Sequence, residues 1–271
     1  MSSEKINTAF ITFGAGRTGW RQAAKRISRE ARAIGIFSEV ISLDENWLKE
    51  FSPKSYTIIK QFQSRNLHRG FGYWIWKPLV LKWAMQQYPN LNILYMDSGS
   101  HIDQSLLQIT KLKNLLLENS NNGLAWALNH KEVAWSKKEL VLRINPTEKI
   151  LQSEQVQAGF IYVPNNDLAN EMINFWNKLA VERNGFYFSD EIEVTQDNSF
   201  ISHRHDQSAF SMLWKLYEFG LKDDITYIEN LKNFPIIQAR NNTGVSATSS
   251  HAIIGTVRNF NLLQDKLLRR R

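Results

Sequence analysis

The 271-residue chain contains no cysteine. That absence excludes a disulfide framework, a thiolate metal site and a cysteine nucleophile, and it fits a reducing compartment, where Cys has no structural use. Long apolar runs are missing as well. No stretch approaches the roughly 18–20 apolar residues that cross a membrane. The one apolar run near the start, Ala9–Phe13, is too short for the core of a signal peptide. There is no internal repeat, no low-complexity tract and no linker rich in Pro, Gly and Ser. Together these absences predict a cytoplasmic protein folded as one continuous domain over residues 1–271.

What is abundant is positive charge and aromatic surface. The net charge is +7, from 33 basic and 26 acidic residues, which favours anionic partners such as nucleoside diphosphates, acidic glycans, anionic lipid or nucleic acid. The basic residues are scattered rather than set in a stripe with interleaved aromatics, which ranks nucleic acid last. The tail concentrates charge at Lys266, Arg269, Arg270 and Arg271. It reads as a solvated helix end, with at most a peripheral contact with the inner membrane face, because stable anchoring needs a second signal. The 9 Trp and 15 Phe suffice to fill a large core or line a binding groove.

The apolar pattern alternates between strand and helix. Thr8–Phe13 reads as a buried strand, Gln22–Ala33 as a helix stopped at Gly35, and Glu39–Leu43 as a second strand ending at Asp44. The segment YWIWKPLVLKWAMQQY predicts a helix with Lys77-Pro78 in its first turn. NILYMD predicts a buried strand that ends on Asp97, and Leu124–Leu128 another short strand. WSKKELVLRI reads as a helix with Ser136 and Glu139 in a capping box. QAGFIYVP reads as a strand, and NDLANEMINFWNKLAVERN as a helix capped near Asn166 or Asp167. DQSAFSMLWKLYEFG reads as a helix that ends at Gly220, and DITYI as a late strand. Such alternation predicts an α/β fold, a mostly parallel central sheet flanked by helices.

Two stretches carry candidate chemistry. Gly14, Gly16 and Gly19 form a GxGxxG directly after the first strand, the spacing of a Rossmann-like dinucleotide turn, with Asp44 at the end of the next strand as its acidic partner. That pattern leaves open a NAD(P)-dependent oxidoreductase, or simply a tight strand-to-helix turn. The stretch ILYMDSGSHID delivers Asp97 to the carboxyl edge of a sheet, where ligands of open α/β folds bind. Ser98, Gly99 and Ser100 follow, small enough for a diphosphate and a divalent cation to approach the backbone. A carboxylate there suits Mg²⁺ or Mn²⁺, or it caps a turn.

NILYMDSGS resembles the metal-and-nucleotide strand of GT-A glycosyltransferases, whose usual signature is DxD. RGFGYWIWKPLVLKWA resembles a block of bacterial enzymes of surface-polysaccharide synthesis. QAGFIYVPN and HRHDQSAFSMLW resemble the NAGxxxxN strand and the DQDxxN helix start of glycosyltransferase family 8-like enzymes. The four blocks run in order from Gly70 to Trp214. Three positions depart from the pattern: Gly99 stands for the second Asp of DxD, Gln157 for the Asn before Ala158-Gly159, and Ser208 for the second Asp of DQD.

The resemblance implies a single GT-A-like domain, with a nucleotide-binding part over about residues 1–104 and an acceptor and catalytic part over about 105–271. It implies transfer of a sugar from a nucleoside-diphosphate sugar, UDP by default, to a glycan or lipid-linked glycan, with Mn²⁺ or Mg²⁺ as cofactor and retention of stereochemistry. On that reading Phe13, Gly14, Gly16, Arg17, Arg21, Asp44, Arg69, Lys77, Asp97, Ser98 and Gly99 surround the nucleotide. Asp97 and a late histidine, His251, hold the metal, and Asp206 and Gln207 lie beside the anomeric carbon. For each there is a plainer alternative: Arg17, Arg21 and Lys77 as solvated surface, Asp206 as a helix cap, and His251 as a surface histidine. Trp74 and Trp76 read as core or groove wall, His203 and His205 as local structure or acceptor-side contacts, and Arg240 and Asn241 as part of a loop that closes over the ligand.

Overall fold

The computed structural model describes residues 4–67, 69–222, 235–238 and 242–243. The chain opens with β1 (Ile6–Gly14), α1 (Thr18–Ala33) and β2 (Phe37–Asp44). Helix α1 begins four residues before the predicted Gln22, so Gly19 lies inside its first turn, and it stops where Gly35 takes a left-handed φ of +68°. There follow α2 (Glu45–Phe51), α3 (Pro53–Ser64), a 3₁₀ turn at Gly72–Trp74, and α4 (Lys77–Gln87) with Pro78 in its first turn. Next come β3 (Asn92–Met96), β4 (Ser100–Ile102), α5 (Leu106–Glu118) and β5 (Ala125–Lys131). Three short helices, α6 (Glu132–Trp135), α7 (Lys138–Ile144) and α8 (Glu148–Leu151), lead to β6 (Glu154–Val156) and β7 (Phe160–Val163). The chain continues through α9 (Asp167–Val181), a 3₁₀ stretch at Glu182–Phe188, α10 (Asp206–Leu216), β8 (Leu221–Lys222) and β9 (Ile236–Gln238).

The central sheet runs β2-β1-β3-β7, with β2, β1 and β3 parallel and β7 antiparallel to β3. Smaller sheets pair β4 with β9 and set β5 between β6 and β8. Both faces of the central sheet are covered, as its near-continuous apolar strands require. Ala9, Ile11 and Phe13 of β1 face one core with Tyr95, Ile161, Trp176 and Phe210. Phe10, on the other face, joins Ile27 and Ala31 of α1 and Leu112 and Leu116 of α5. Each such large side chain, once buried, stabilises the fold by roughly 1.5–3 kcal/mol. The α/β architecture expected from the sequence is the one observed.

Three local expectations need correction. There is no capping box at Ser136. The residue preceding α7 is Lys137, whose ammonium donates to the carbonyls of Phe186, Ser189 and Glu191, while Ser136 Oγ donates to Glu132 and the Glu139 carboxylate accepts from the Glu193 and Val194 amides. Tertiary partners outbid the local cap. Likewise His205, not Asp206, precedes α10, so Asp206 is the first residue of that helix and not its cap. The predicted strand QAGFIYVP is shorter than expected, because Gln157–Gly159 bend and β7 begins only at Phe160. The predicted strand DITYI, Arg240, Asn241, His251 and the basic tail lie outside the described residues.

The order β2-β1-β3 has a functional consequence. The chain leaves β1 for β2 on one side, then returns past β1 to β3 on the other. The winding therefore reverses between β1 and β3, and the crevice beyond their carboxyl ends is where open α/β sheets bind ligands. Gly14 closes β1 and Asp97 follows β3, and Thr12 Oγ1 donates to the Met96 carbonyl (2.8 Å) to tie the two strand ends together.

Candidate active site

The centre of the crevice is a buried ammonium between two carboxylates. Pro78 tolerates the first turn of α4, and that turn directs Lys77 inward, so its side chain is only 3% exposed. Lys77 Nζ lies 2.8 Å from Asp206 Oδ2 and 3.3 Å from Asp97 Oδ1, and donates to the Ala158 carbonyl at 3.0 Å. Tyr95 Oη donates to the same Asp97 oxygen at 2.7 Å. Asp206 Oδ2 has no aligned hydrogen-bond donor, so its contact with Lys77 is an ion pair without the directionality of a hydrogen bond. One side chain thus joins all four sequence blocks: the start of α4, the end of β3, the bend before β7 and the start of α10. Lys77 as mere solvated surface is excluded.

The environment tunes these groups. Burial pushes the Asp206 carboxyl up to about 6, with Lys77 pulling it down and Asp97 adding to the rise. Burial opposes the Lys77 ammonium, but Asp206 and Asp97 together outweigh it and raise its pKa above the usual value. Burial, and then Asp97, hold Tyr95 well above an ordinary phenol. Asp97 itself stays half-open, with 44% of its side chain exposed. Its Oδ1 is committed to Lys77 and Tyr95, and Oδ2 makes no such contact.

The loop after β3 is pinned from behind. Arg26, fully buried on α1, donates to the Ser98 carbonyl (2.9 Å), the Thr243 carbonyl (3.2 Å) and Glu30 (3.2 Å), and meets the His101 ring. Glu30 in turn accepts from the Ile102 amide at 3.0 Å. Ser98 and Gly99 are buried on this support. The sequence reading missed the Arg26–Glu30–His101 cluster.

Glycine has a physical reason at two positions of the opening turn, packing at one and backbone conformation at the other. A Cβ on Gly14 would lie 2.5 Å from the Trp20 carbonyl and 2.7 Å from Ala24 Cβ, so only Gly lets α1 approach β1 this closely. Gly16 takes a φ of +77°, the left-handed region. The Phe13 side chain is buried and stacks on Trp76 at 4.0 Å, so Phe13 can reach a ligand only through its backbone. Asp44 turns to α2, where it accepts from the Asn46 and Trp47 amides. Arg17, Arg21 and Arg69 are exposed, and the Arg69 charge helps depress both His203 and His205.

On the α10 side, Gln207 Nε2 donates to Gln155 Oε1 at 2.9 Å. His205 holds φ +57° and donates from Nδ1 to the Phe188 carbonyl (2.8 Å), and burial lowers its pKa to about 4, so it stays neutral. His203 is likewise held neutral by burial and its cationic neighbours. Neighbouring Tyr73 and Trp74, both with positive φ, pack against the His205 ring. Backbone strain therefore gathers beside the Lys77 cluster.

As to a metal, no group of three His, Asp or Glu side chains is placed to hold one among the described residues. Asp97 offers a single half-exposed carboxylate. That donor set suits Mg²⁺ or Mn²⁺ held by one carboxylate together with substrate phosphates, and it does not suit an all-protein cage.

No protein-family model matches the chain, and no curated protein matches its sequence. Among solved structures the chain is similar to a glycosyltransferase involved in glycosylation of the major capsid of PBCV-1 (TM-score 0.47, 11% identity, 93% of this chain and 99% of that one). It is also similar to apo mouse xyloside xylosyltransferase 1 (TM-score 0.39, 9% identity, 82% and 87%), and to the apo form of the glycosyltransferase GlyE of Streptococcus pneumoniae TIGR4 (TM-score 0.45, 12% identity, 94% and 60%).

Proposed function

We propose that this chain is a glycosyltransferase that moves a sugar from a nucleoside-diphosphate sugar, UDP-linked in the first instance, to a glycan or lipid-linked glycan acceptor of surface-polysaccharide synthesis. The observation that carries the reading is the Lys77 ammonium buried between Asp97 and Asp206 at the reversal point of the sheet. A leaving diphosphate needs fixed positive charge, and a forming oxocarbenium-like sugar needs fixed negative charge a few ångströms away. Lys77 and Asp206 supply the two in contact.

In this reading the residues to about 104 form the nucleotide side of one domain, and those from about 105 the acceptor side. The backbone at Gly14 and Gly16 approaches the nucleotide, and Arg17 and Arg21 stand at the mouth to meet the diphosphate. Asp44 and Arg69 lie further along the rim. Asp206 lies under the anomeric carbon with retention of configuration, and Gln207 beside it. Asp97, with His251 as a second ligand, would hold Mn²⁺ or Mg²⁺, which supplies Lewis-acid neutralisation of the leaving diphosphate. Among the described residues no helix is long and apolar enough to cross a membrane. The reading places the chain in the cytoplasm, with the basic tail as its only contact with the membrane face.

The test is a thermal-shift panel of UDP, GDP, CDP, their sugar conjugates and NAD(H), each with and without Mn²⁺. A ligand that binds only the folded state raises its apparent stability. A shift with one nucleoside diphosphate, lost in Lys77→Met and weakened in Asp97→Asn, is the expected result. A shift with NAD(H) alone overturns the reading in favour of a dehydrogenase built on the Gly14–Gly19 turn.

A further inference from the structure

Behind Gln207 lies a buried polar network that the reading above does not use. Glu132 is fully buried at the start of α6. Its Oε1 accepts from Lys215 Nζ (2.9 Å) and from Ser211 Oγ, and its Oε2 accepts from Ser136 Oγ (2.9 Å) and Gln155 Nε2 (3.0 Å). Gln155, also fully buried on β6, accepts at its Oε1 from Gln207 Nε2 (2.9 Å).

The direction of this chain of bonds follows from chemistry. A carboxylate paired with an ammonium accepts and cannot donate, so Gln155 must turn its NH₂ to Glu132. Its oxygen then faces Gln207, and Gln207 must turn its own NH₂ inward. The oxygen of Gln207 is left on the side away from Gln155, on a residue that is itself half-buried. Reversing either amide would set oxygen against oxygen in a buried site, which costs the full desolvation of an unpaired group. Ser208, which stands where the resembling enzymes carry a second Asp, belongs to the same network: its Oγ lies 3.3 Å from Gln155 Nε2 and donates to the Trp135 carbonyl.

We propose that Glu132 and Gln155 are positioning residues that fix Gln207 as a hydrogen-bond acceptor, committing it to a hydroxyl of the transferred sugar and not to an anionic oxygen. The inference rests on the glycosyltransferase reading for the identity of the ligand. The amide relay itself does not depend on that reading.

Two variants test it. Glu132→Gln gives Gln155 a partner that can donate, so only the longer contact of the Gln155 NH₂ with the Trp135 carbonyl (3.4 Å) still opposes a flip of the two amides. Gln155→Met removes the relay while leaving Glu132 bonded to Lys215, Ser136 and Ser211, so it keeps the fold testable where Glu132→Gln does not fold. The side-chain NH₂ signal of Gln207, assigned by its loss in Gln207→Ala, is read by ¹H–¹⁵N NMR in the protein without ligand. The expected result is a shifted, exchange-protected pair in the native protein that moves to the free-amide position in both variants. On the nucleotide-sugar donor selected by thermal shift, kcat for transfer or donor hydrolysis falls at least tenfold in Gln155→Met while the donor KM stays within twofold. The same substitution on a Gln207→Ala background lowers kcat no further. An unshifted Gln207 amide, or an equal loss of kcat on both backgrounds, overturns the relay. A relay seen by NMR in a protein that turns over no nucleotide sugar overturns the glycosyltransferase reading and with it the sugar hydroxyl.

Discussion

Replacing Lys77 by Met keeps the buried stem and removes the charge, and its cost should depend on pH in a way that can be worked out. In the native protein the Asp206 carboxyl sits at about 6 against an ordinary 3.8. Between those values the folded state holds the proton that the unfolded state has lost. Stability therefore falls as pH rises through that window and is level above it. The gap of about two units is worth ~3 kcal/mol at about 1.36 kcal/mol per unit. Without Lys77 the carboxyl keeps its proton to higher pH, and the fall continues. Each pH unit above about 6 over which Asp206 stays neutral in the variant lowers it by a further ~1.4 kcal/mol relative to native. At pH 5.5 both proteins carry a protonated Asp206 and the difference from titration is close to nil. Losing the donor to the Ala158 carbonyl adds ~1–3 kcal/mol at every pH. The part of the raised Lys77 pKa that comes from Asp206 is the same interaction seen from its other partner and is not counted again. Urea melts of native, Lys77→Met and Lys77→Met/Asp206→Asn at pH 5.5, 7 and 8.5 read this out. The single variant should lose stability steeply with pH, and the double variant should not. A single variant whose deficit is the same at pH 5.5 and 8.5 would refute the buried ion pair.

Other substitutions probe the support of the same crevice. Gly14→Ala should destabilise by ~1–3 kcal/mol in chemical denaturation, because its methyl meets the Trp20 carbonyl and Ala24; an unchanged midpoint would mean that α1 does not pack here. Asn166→Ala should cost ~1 kcal/mol, since the Asn166 side chain caps α9 by accepting from the Ala169 amide, and should leave nucleotide binding unchanged in a titration. Arg26→Met should loosen the Ser98–Gly99 loop, so that its amides exchange faster with solvent and the nucleoside diphosphate shift shrinks; retained protection of those amides would show that Arg26 does not hold the loop.

The fold was readable because β1, β3 and β7 are buried on both faces and bounded by turn residues, so period and punctuation agreed. The cluster of Lys77, Asp97 and Asp206 was readable where its residues sit at element ends: Lys77 beside a helix-starting Pro, Asp97 closing an apolar run, Asp206 opening a helix. The Arg26–Glu30 support could have been read and was not. Ala23, Ile27 and Ala31 are the apolar stripe of α1, and Arg26 and Glu30 fall within it, so a charged pair on the buried face of a helix was written in the spacing. Glu132 and Lys215 gave no such signal. They lie far apart in the chain and are joined only by the packing of α6 against α10, and short helices such as α6 carry too few residues for a period. The capping box at Ser136 failed for the same reason. Its local pattern was sound, but the Lys137 ammonium finds three carbonyls in Phe186, Ser189 and Glu191 that no local rule anticipates. Local chemistry thus located the groups that meet at the crevice, and tertiary packing decided which polar atoms stand behind them and which way Gln207 is turned.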